Sequence, residues 1–234
     1  MNTVPSPLPG TTWLRPLPQV PYTPQIADAQ HMAEYLDEGR SLASDPCWQQ
    51  SGAPTLESYV YWADRACGIA CIKSIIEAFG GEARTLHAWI EQAQALGAYM
   101  IETDADGVPH EIGWKHAGLA QLCQEQGLAA RTLAADAALI VRALSSGCLV
   151  IASVSYELGS ADRPITRKNG HLVVITGALM RENEPTHFTI HNPSGRGKSM
   201  QVHANIPLPR FEQAYSGRVI VIARQPETLT LLGV

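Results

Sequence analysis

The chain of 234 residues lacks any apolar run of the roughly 18–20 residues that a membrane-spanning helix requires. It lacks a basic excess too: 17 Lys and Arg stand against 22 Asp and Glu, a formal charge of -5, which argues against a nucleic-acid binder. The opening stretch MNTVPSPLPGTTWLRPLPQVPYTPQ lacks both the basic and the apolar region of a secretory signal. Internal repeats are absent. Cysteines number five, an odd count in a chain too long for a disulfide scaffold, so a reduced, cytoplasmic protein is expected. What is present is ordinary globular composition, 45% hydrophobic and 17% charged, enough for one well-buried core.

Seven of the 16 prolines fall in residues 1–24, which favours extended backbone, so this segment is expected to be a proline-rich arm, packed on the domain or loose. Residues 25–234 read as one domain. Helical spacing marks 26–40, with Ile26, Ala29, Met32 (or Ala33) and Leu36 on one side, then a short helix over 55–63. Ala66 to Phe79 carries Ile69, Ile72, Ile76 and Phe79 at helical spacing and closes at Gly80-Gly81. Thr85 is a good N-cap for a helix through Leu96. ETDADGVPHEIGW reads as a turn-rich stretch, and helices follow over about 114–126 and 136–146.

From there the character changes. CLVIASVSY, GHLVVITGAL, THFTIHN and RVIVIAR are β-branched runs bounded by Gly, Asn or Pro, and they read as strands. Helices first and strands after predict an α+β fold, a helical N-terminal half packed against a C-terminal antiparallel sheet. A cleft where the halves meet is a common place for a binding site.

Chemistry concentrates in YWADRACGIACIKSIIEAFG. Cys67 lies at the expected start of a helix, where unpaired N–H groups and the helix dipole favour thiolate, and Gly68 beside it leaves room for a substrate backbone. Those are conditions for a nucleophile. Cys71, one turn further in, reads as buried, and a pair of ordinary core cysteines is the competing explanation for both. A metal site would need further ligands, and no second Cys or His pair has structural zinc spacing; His187-x3-His191 has no acidic partner. The TDADG stretch has too few ligands for a calcium loop, and NPSGRGKS lacks the first glycine of a phosphate loop. No metal and no cofactor is expected.

A thiol nucleophile needs a histidine oriented by Asn or Asp. Of eight histidines, His171 alone opens a strand directly after Asn-Gly, in RKNGHLVVITGAL. The next strand ends in TIHNPSG, where Asn192 precedes a proline and is therefore extended. Two adjacent strand ends can set imidazole and amide side by side; His191 is a competitor whose side chain should point away from Asn192.

In this order, RACGIACIKSII, GHLVVITG and HNPSG resemble the papain-like cysteine peptidases, in particular a free-standing branch of the bacteriocin-processing, double-glycine-leader peptidase family. VPYTPQ, DPCWQQSGA, the Trp and Arg of YWADRACG and the closing FEQAYSGRVIVIA extend the resemblance over roughly residues 20–224. It implies that Cys67 attacks the scissile carbonyl, His171 carries the proton and Asn192 holds the ring tautomer. It also implies an oxyanion held by the Cys67 N–H and one side-chain amide. The family often has Gln six residues before the cysteine, but Tyr61 stands there; relatives with the VPYTPQ motif place a glutamine there, so Gln25 is the expected amide, with Gln49 and Gln50 as rivals.

The expectation is a cysteine peptidase acting on a peptide or protein, such as a leader or precursor peptide, through a Cys67 thioester. Two alternatives keep the fold. One is an amidase or an acyl or peptidyl transferase; the other is a catalytically silent peptide-binding module.

Overall fold

The computed structural model describes residues 10–234, so residues 1–9 of the expected arm lie outside the described part. The rest of that arm is built into the domain. Thr11–Leu14 (β1) is a strand, Val20 is buried in the core, and the N–H of Gln25 donates to the Pro193 carbonyl at 3.0 Å.

The expected helix over 26–40 is shorter than its pattern. Only a single turn at Ala29–His31 and the helix Met32–Leu36 (α1) form. Tertiary partners take the preceding backbone instead: Ala27 N–H donates to the Tyr59 hydroxyl and Asp28 N–H to the Asp45 carboxylate. Ile26 and Met32 then pack with Tyr35, Tyr59 and Ala63 in a small core of their own.

Five helices follow the sequence pattern closely. Leu56–Ala63 (α2) is capped by Thr55, Leu86–Ala95 (α4) by Thr85 and Ala137–Ser145 (α6) by Asp136, each side-chain oxygen accepting an N–H three residues on. Such caps contribute about 1 kcal/mol each. Between the first two, Cys67–Ala78 (α3) starts without a side-chain cap and ends at Gly80, whose φ of 84° suits only glycine readily. His116–Glu125 (α5) completes this set, and Lys198–Gln201 (α7), Leu208–Ala214 (α8) and Pro226–Leu231 (α9) are short.

Strands appear earlier than the composition predicts. TDADG is a turn, with the Asp104 carboxylate accepting from the N–H groups of Asp106 and Val108. Yet it joins two strands, Tyr99–Thr103 (β2) and Pro109–Trp114 (β3), in a separate hairpin. Its residues are mostly exposed, so no apolar alternation betrays it. Ala129–Ala134 (β4) is a further strand before residue 146.

Leu149–Ser155 (β5), Gly170–Arg181 (β6), Glu184–His191 (β7), Ala204–Pro207 (β8) and Tyr215–Ala223 (β9) complete an antiparallel sheet. Its order is β4-β9-β5-β6-β7-β8, with β1 also pairing β6. Alternation sorts the sheet residues. Leu149, Ile151, Leu172, Val174, Ile220 and Ile222 face the core shared with α3, α4 and α5. Val150, Ala152, Val173, Ile175, Val219 and Val221 face a second core with residues of α6, α8 and α9. The helical half therefore packs against an antiparallel sheet as the α+β reading expects, while the late helices cover the other face. β5, buried along its whole length, is the spine.

Candidate active site

Cys67 occupies the first turn of α3 and is only partly buried, whereas Cys71, one turn on, is fully buried and donates its S–H to the Leu172 carbonyl at 3.4 Å. That separates the two cysteines. Gly68, however, does not open space for a substrate. A Cβ there would come within 3.1 Å of Leu119, Leu172 and Trp114, so this glycine lets α3 seat tightly on the core. The expected thiolate is also opposed by the surroundings. Burial pushes the Cys67 thiol up to about 11, although the backbone N–H groups of Leu172, Gly68 and Cys67 pull the other way. Desolvation outweighs the helix terminus, and the resting group is the thiol.

His171 is the second residue of β6, after Gly170, whose φ of 100° admits glycine readily. Its Nε2 lies 2.8 Å from Asn192 Oδ1 and 3.0 Å from Ser194 Oγ. An amide oxygen only accepts, so the network assigns the proton to Nε2 and leaves Nδ1 as the basic nitrogen. Burial lowers the ring to about 4, the Asn192 bond opposes this, and the charge of Arg196 adds to it. Neutral imidazole is thus the resting state at pH 7.

Asn192 is fully buried and held from several sides. Its N–H donates to the Gln201 carbonyl at 2.9 Å, its carbonyl accepts the Tyr22 hydroxyl at 3.1 Å, and its Oδ1 accepts the Ser194 N–H at 3.1 Å. Arg196 then donates to the carbonyl and hydroxyl of Ser194, at 2.9 and 3.3 Å, while its Nε meets Asp37 at 3.0 Å. Burial works against the Asp37 charge, but Arg196 and Arg163 hold its carboxyl below the ordinary range. A chain of polar contacts therefore runs from Asp37 to the imidazole. Ser194→Ala is expected to lower kcat by roughly 2- to 12-fold, the worth of one hydrogen bond of about 0.5–1.5 kcal/mol, with KM nearly constant. Steady-state kinetics checks this; a rise in KM alone would contradict a positioning role.

His191, the competing histidine, is spent elsewhere. Its Nε2 donates to the Val20 carbonyl at 2.9 Å and its Nδ1 accepts the His203 N–H at 3.1 Å, so neither nitrogen is left to serve a thiol.

Cys67 and His171 line one cavity of about 520 Å³. One wall is aromatic: Tyr99 and Trp114 line it with the buried Trp62 packed behind them, ring centres 4.9–5.6 Å apart, and Trp114 Nε1 donates to the Arg65 carbonyl at 2.7 Å. Glu111 of β3 ties the hairpin to this wall by accepting from Arg65 at 2.7 Å, Tyr61 at 3.0 Å and Tyr99 at 3.2 Å. Tyr61 thus anchors the hairpin.

None of the three candidate glutamines lines this cavity. Gln25 is buried with its Oε1 unpartnered, and it borders a neighbouring space together with Ala66, the residue before Cys67. Gln49 and Gln50 are exposed. Among the described residues no group of three or more His, Cys, Asp or Glu could hold a metal ion, and no helix is long and apolar enough to cross a membrane.

Ser194, Arg196, Asp37 and the β2–β3 hairpin escaped the sequence reading. Ser194, two residues after Asn192, was within reach of a local argument, since a hydroxyl there can bond back to the amide. Asp37 has no local signal, because its bond to Arg196 spans 159 residues.

No family model matches the chain, and no curated protein sequence does. Solved structures give weaker likenesses. The peptidase domain of Streptococcus ComA, a bi-functional ABC transporter involved in a quorum-sensing pathway, is 17% identical, with 69% of this chain and 93% of that one covered at a TM-score of 0.47. A putative C39-like peptidase from Bacillus anthracis is 17% identical, with 69% and 90% covered at 0.47. A double glycine motif protease from an AMS/PCAT transporter, solved in complex with the leader peptide, is 13% identical, with 68% and 84% covered at 0.40. Similarity this distant carries no argument about activity, which has to come from the site itself.

Proposed function

We propose that the chain is a cysteine peptidase with Cys67 as nucleophile, His171 as general base and acid, and Asn192 as the residue orienting the ring. The observation that carries this reading is that a first-turn cysteine and a histidine bonded to a buried Asn line one cavity. In the proposed reaction His171 Nδ1 takes the thiol proton as sulfur adds to the scissile carbonyl carbon. The C–N bond then breaks, the amine leaves with that proton, and a Cys67 thioester remains. Water, losing a proton to His171, cleaves the thioester to a carboxylic acid and restores the thiol. The Cys67 N–H at the start of α3 is one oxyanion donor. Gln25 would supply the second only if its amide turned past Ala66. The substrate is a peptide or protein segment, and the reduced cytoplasm suits five unpaired cysteines.

Because Gln25 stands off the cavity, a silent peptide-binding module is the second reading. Mass spectrometry of a peptide pool incubated with the protein separates them: paired products summing to substrate plus one water support hydrolysis, and an unchanged pool supports binding alone.

The pH profile has a defined shape. The active pair holds a single proton, shared as thiol and neutral imidazole or as their ion pair. Below about 4 His171 gains a second proton and cannot accept the one on sulfur; above about 11 no proton remains for the leaving amine. kcat/KM should therefore be flat from about pH 5 to about pH 10 where the fold persists. An acid limb near 7 would contradict the burial of His171.

A further inference from the structure

The cavity that Cys67 lines holds two arginines in unlike surroundings. Arg65 contacts both Glu111 and Asp64 through side-chain hydrogen bonds, so its charge is answered twice. Arg218 of β9 forms no ion pair with any carboxylate among the described residues. It stands instead beside His116, the first residue of α5, which burial and then the charge of Arg218 push below its ordinary range. Arg218, a fixed cation, and His116, a neutral imidazole with an N–H to donate, thus line one cavity, and neither is paired to a carboxylate among the described residues.

Ser153 adds an independent sign. It is only 5% exposed and lines the same cavity, yet its hydroxyl makes no hydrogen bond to any described residue. That hydroxyl is reached from the cavity, so a bound acceptor can take its hydrogen bond. Strand alternation sets Ser153 on the face of Leu149 and Ile151, and Arg218 on the face of Ile220 and Ile222, which is the same side of the sheet. β5 and β9 are paired neighbours whose register shifts between Ala152 and Val154, and Ser153 and Arg218 both line the cavity there. A carboxylate accepts from both, and charge-assisted bonds to Arg are among the stronger polar contacts.

We propose that Arg218, Ser153 and His116 form a carboxylate-binding subsite beside the Cys67 thiol, so that the preferred substrates are peptides with a carboxylate close to the scissile bond. The carboxylate is an Asp or Glu side chain or a free C-terminus; the chemistry is shared. This assignment rests on Cys67 being the nucleophile.

Peptidyl vinyl sulfones extended on both sides of the electrophile test it, with Cys67 labelling followed by mass spectrometry. Three sets are compared: Glu at each flanking position in turn with an amidated terminus, the matching Gln peptides, and Gln peptides ending in a free carboxylate. The expected result is at least tenfold faster labelling by one carboxylate set than by the neutral set, and the faster set identifies the source. Arg218→Ala should bring that ratio to within about twofold of one, and Arg218→Glu should invert it in favour of the neutral set. Because Arg218 is exposed, both variants should fold. Equal labelling by all wild-type sets, or a ratio that survives Arg218→Ala, overturns the subsite and leaves the nucleophile standing. No labelling of Cys67 by any set overturns the nucleophile, and the subsite with it.

Discussion

Cys67→Ala is expected to reduce kcat/KM against a peptide substrate by about 10⁴-fold or more, with the fold intact. The size follows from the lack of a substitute nucleophile. Cys71 is committed to the Leu172 carbonyl inside the core, and Cys47, Cys123 and Cys148 do not line the cavity. Ser153 does line it, but an alcohol is a far weaker acid than a thiol. The fold should survive because Cys67 is only partly buried and no disulfide involves it, while alanine extends a helix start readily. Far-UV circular dichroism beside the kinetic assay separates the two effects. A loss of activity matched by a loss of helix would mean that Cys67 is structural.

The second large effect is at His171, where the cause is the acidity of the thiol itself. With the Cys67 thiol near 11, only about one molecule in 10⁴ carries thiolate at pH 7 without a base to take the proton. His171→Ala should therefore lower kcat/KM by about 10³- to 10⁴-fold at pH 7. Its pH dependence should change as well. The variant's rate should climb about tenfold per pH unit toward pH 10, where the parent is flat, because hydroxide replaces the missing imidazole. A structural defect would not produce that slope. The vacated partners keep each other: Ser194 still donates its N–H to Asn192 Oδ1 at 3.1 Å, and its hydroxyl lies 3.3 Å from the same oxygen.

Cys67, His171 and Asn192 could be singled out as candidates because each has local punctuation: a helix start at Cys67, Asn-Gly before His171, a proline after Asn192. The long helices and β5, β6, β7 and β9 were legible for the same reason, since their apolar periods are strong. Strand β4, written AARTLA, was not, because alanine carries little strand preference and its role comes from pairing with β9. The hairpin β2–β3 hid behind exposed residues, although it supplies Trp114 and Glu111 to the cavity wall. Helix α1 fell short of its pattern when Tyr59 and Asp45 claimed the backbone before it. The electrostatics were the least legible part. A helix terminus can be read from sequence, whereas the desolvation that overrides it at Cys67 depends on what the fold stacks around the sulfur. Gly68 shows the same limit, because its neighbours Leu119 and Leu172 come from distant segments.

The most direct test of the central claim is the position and rate of covalent labelling by a single peptidyl electrophile at pH 7, mapped by mass spectrometry in parent and His171→Ala. The account predicts one adduct on Cys67, none on Cys47, Cys71, Cys123 or Cys148, and a rate about 10³-fold or more slower in the variant. An adduct on another cysteine, or equal rates in the two proteins, would contradict it.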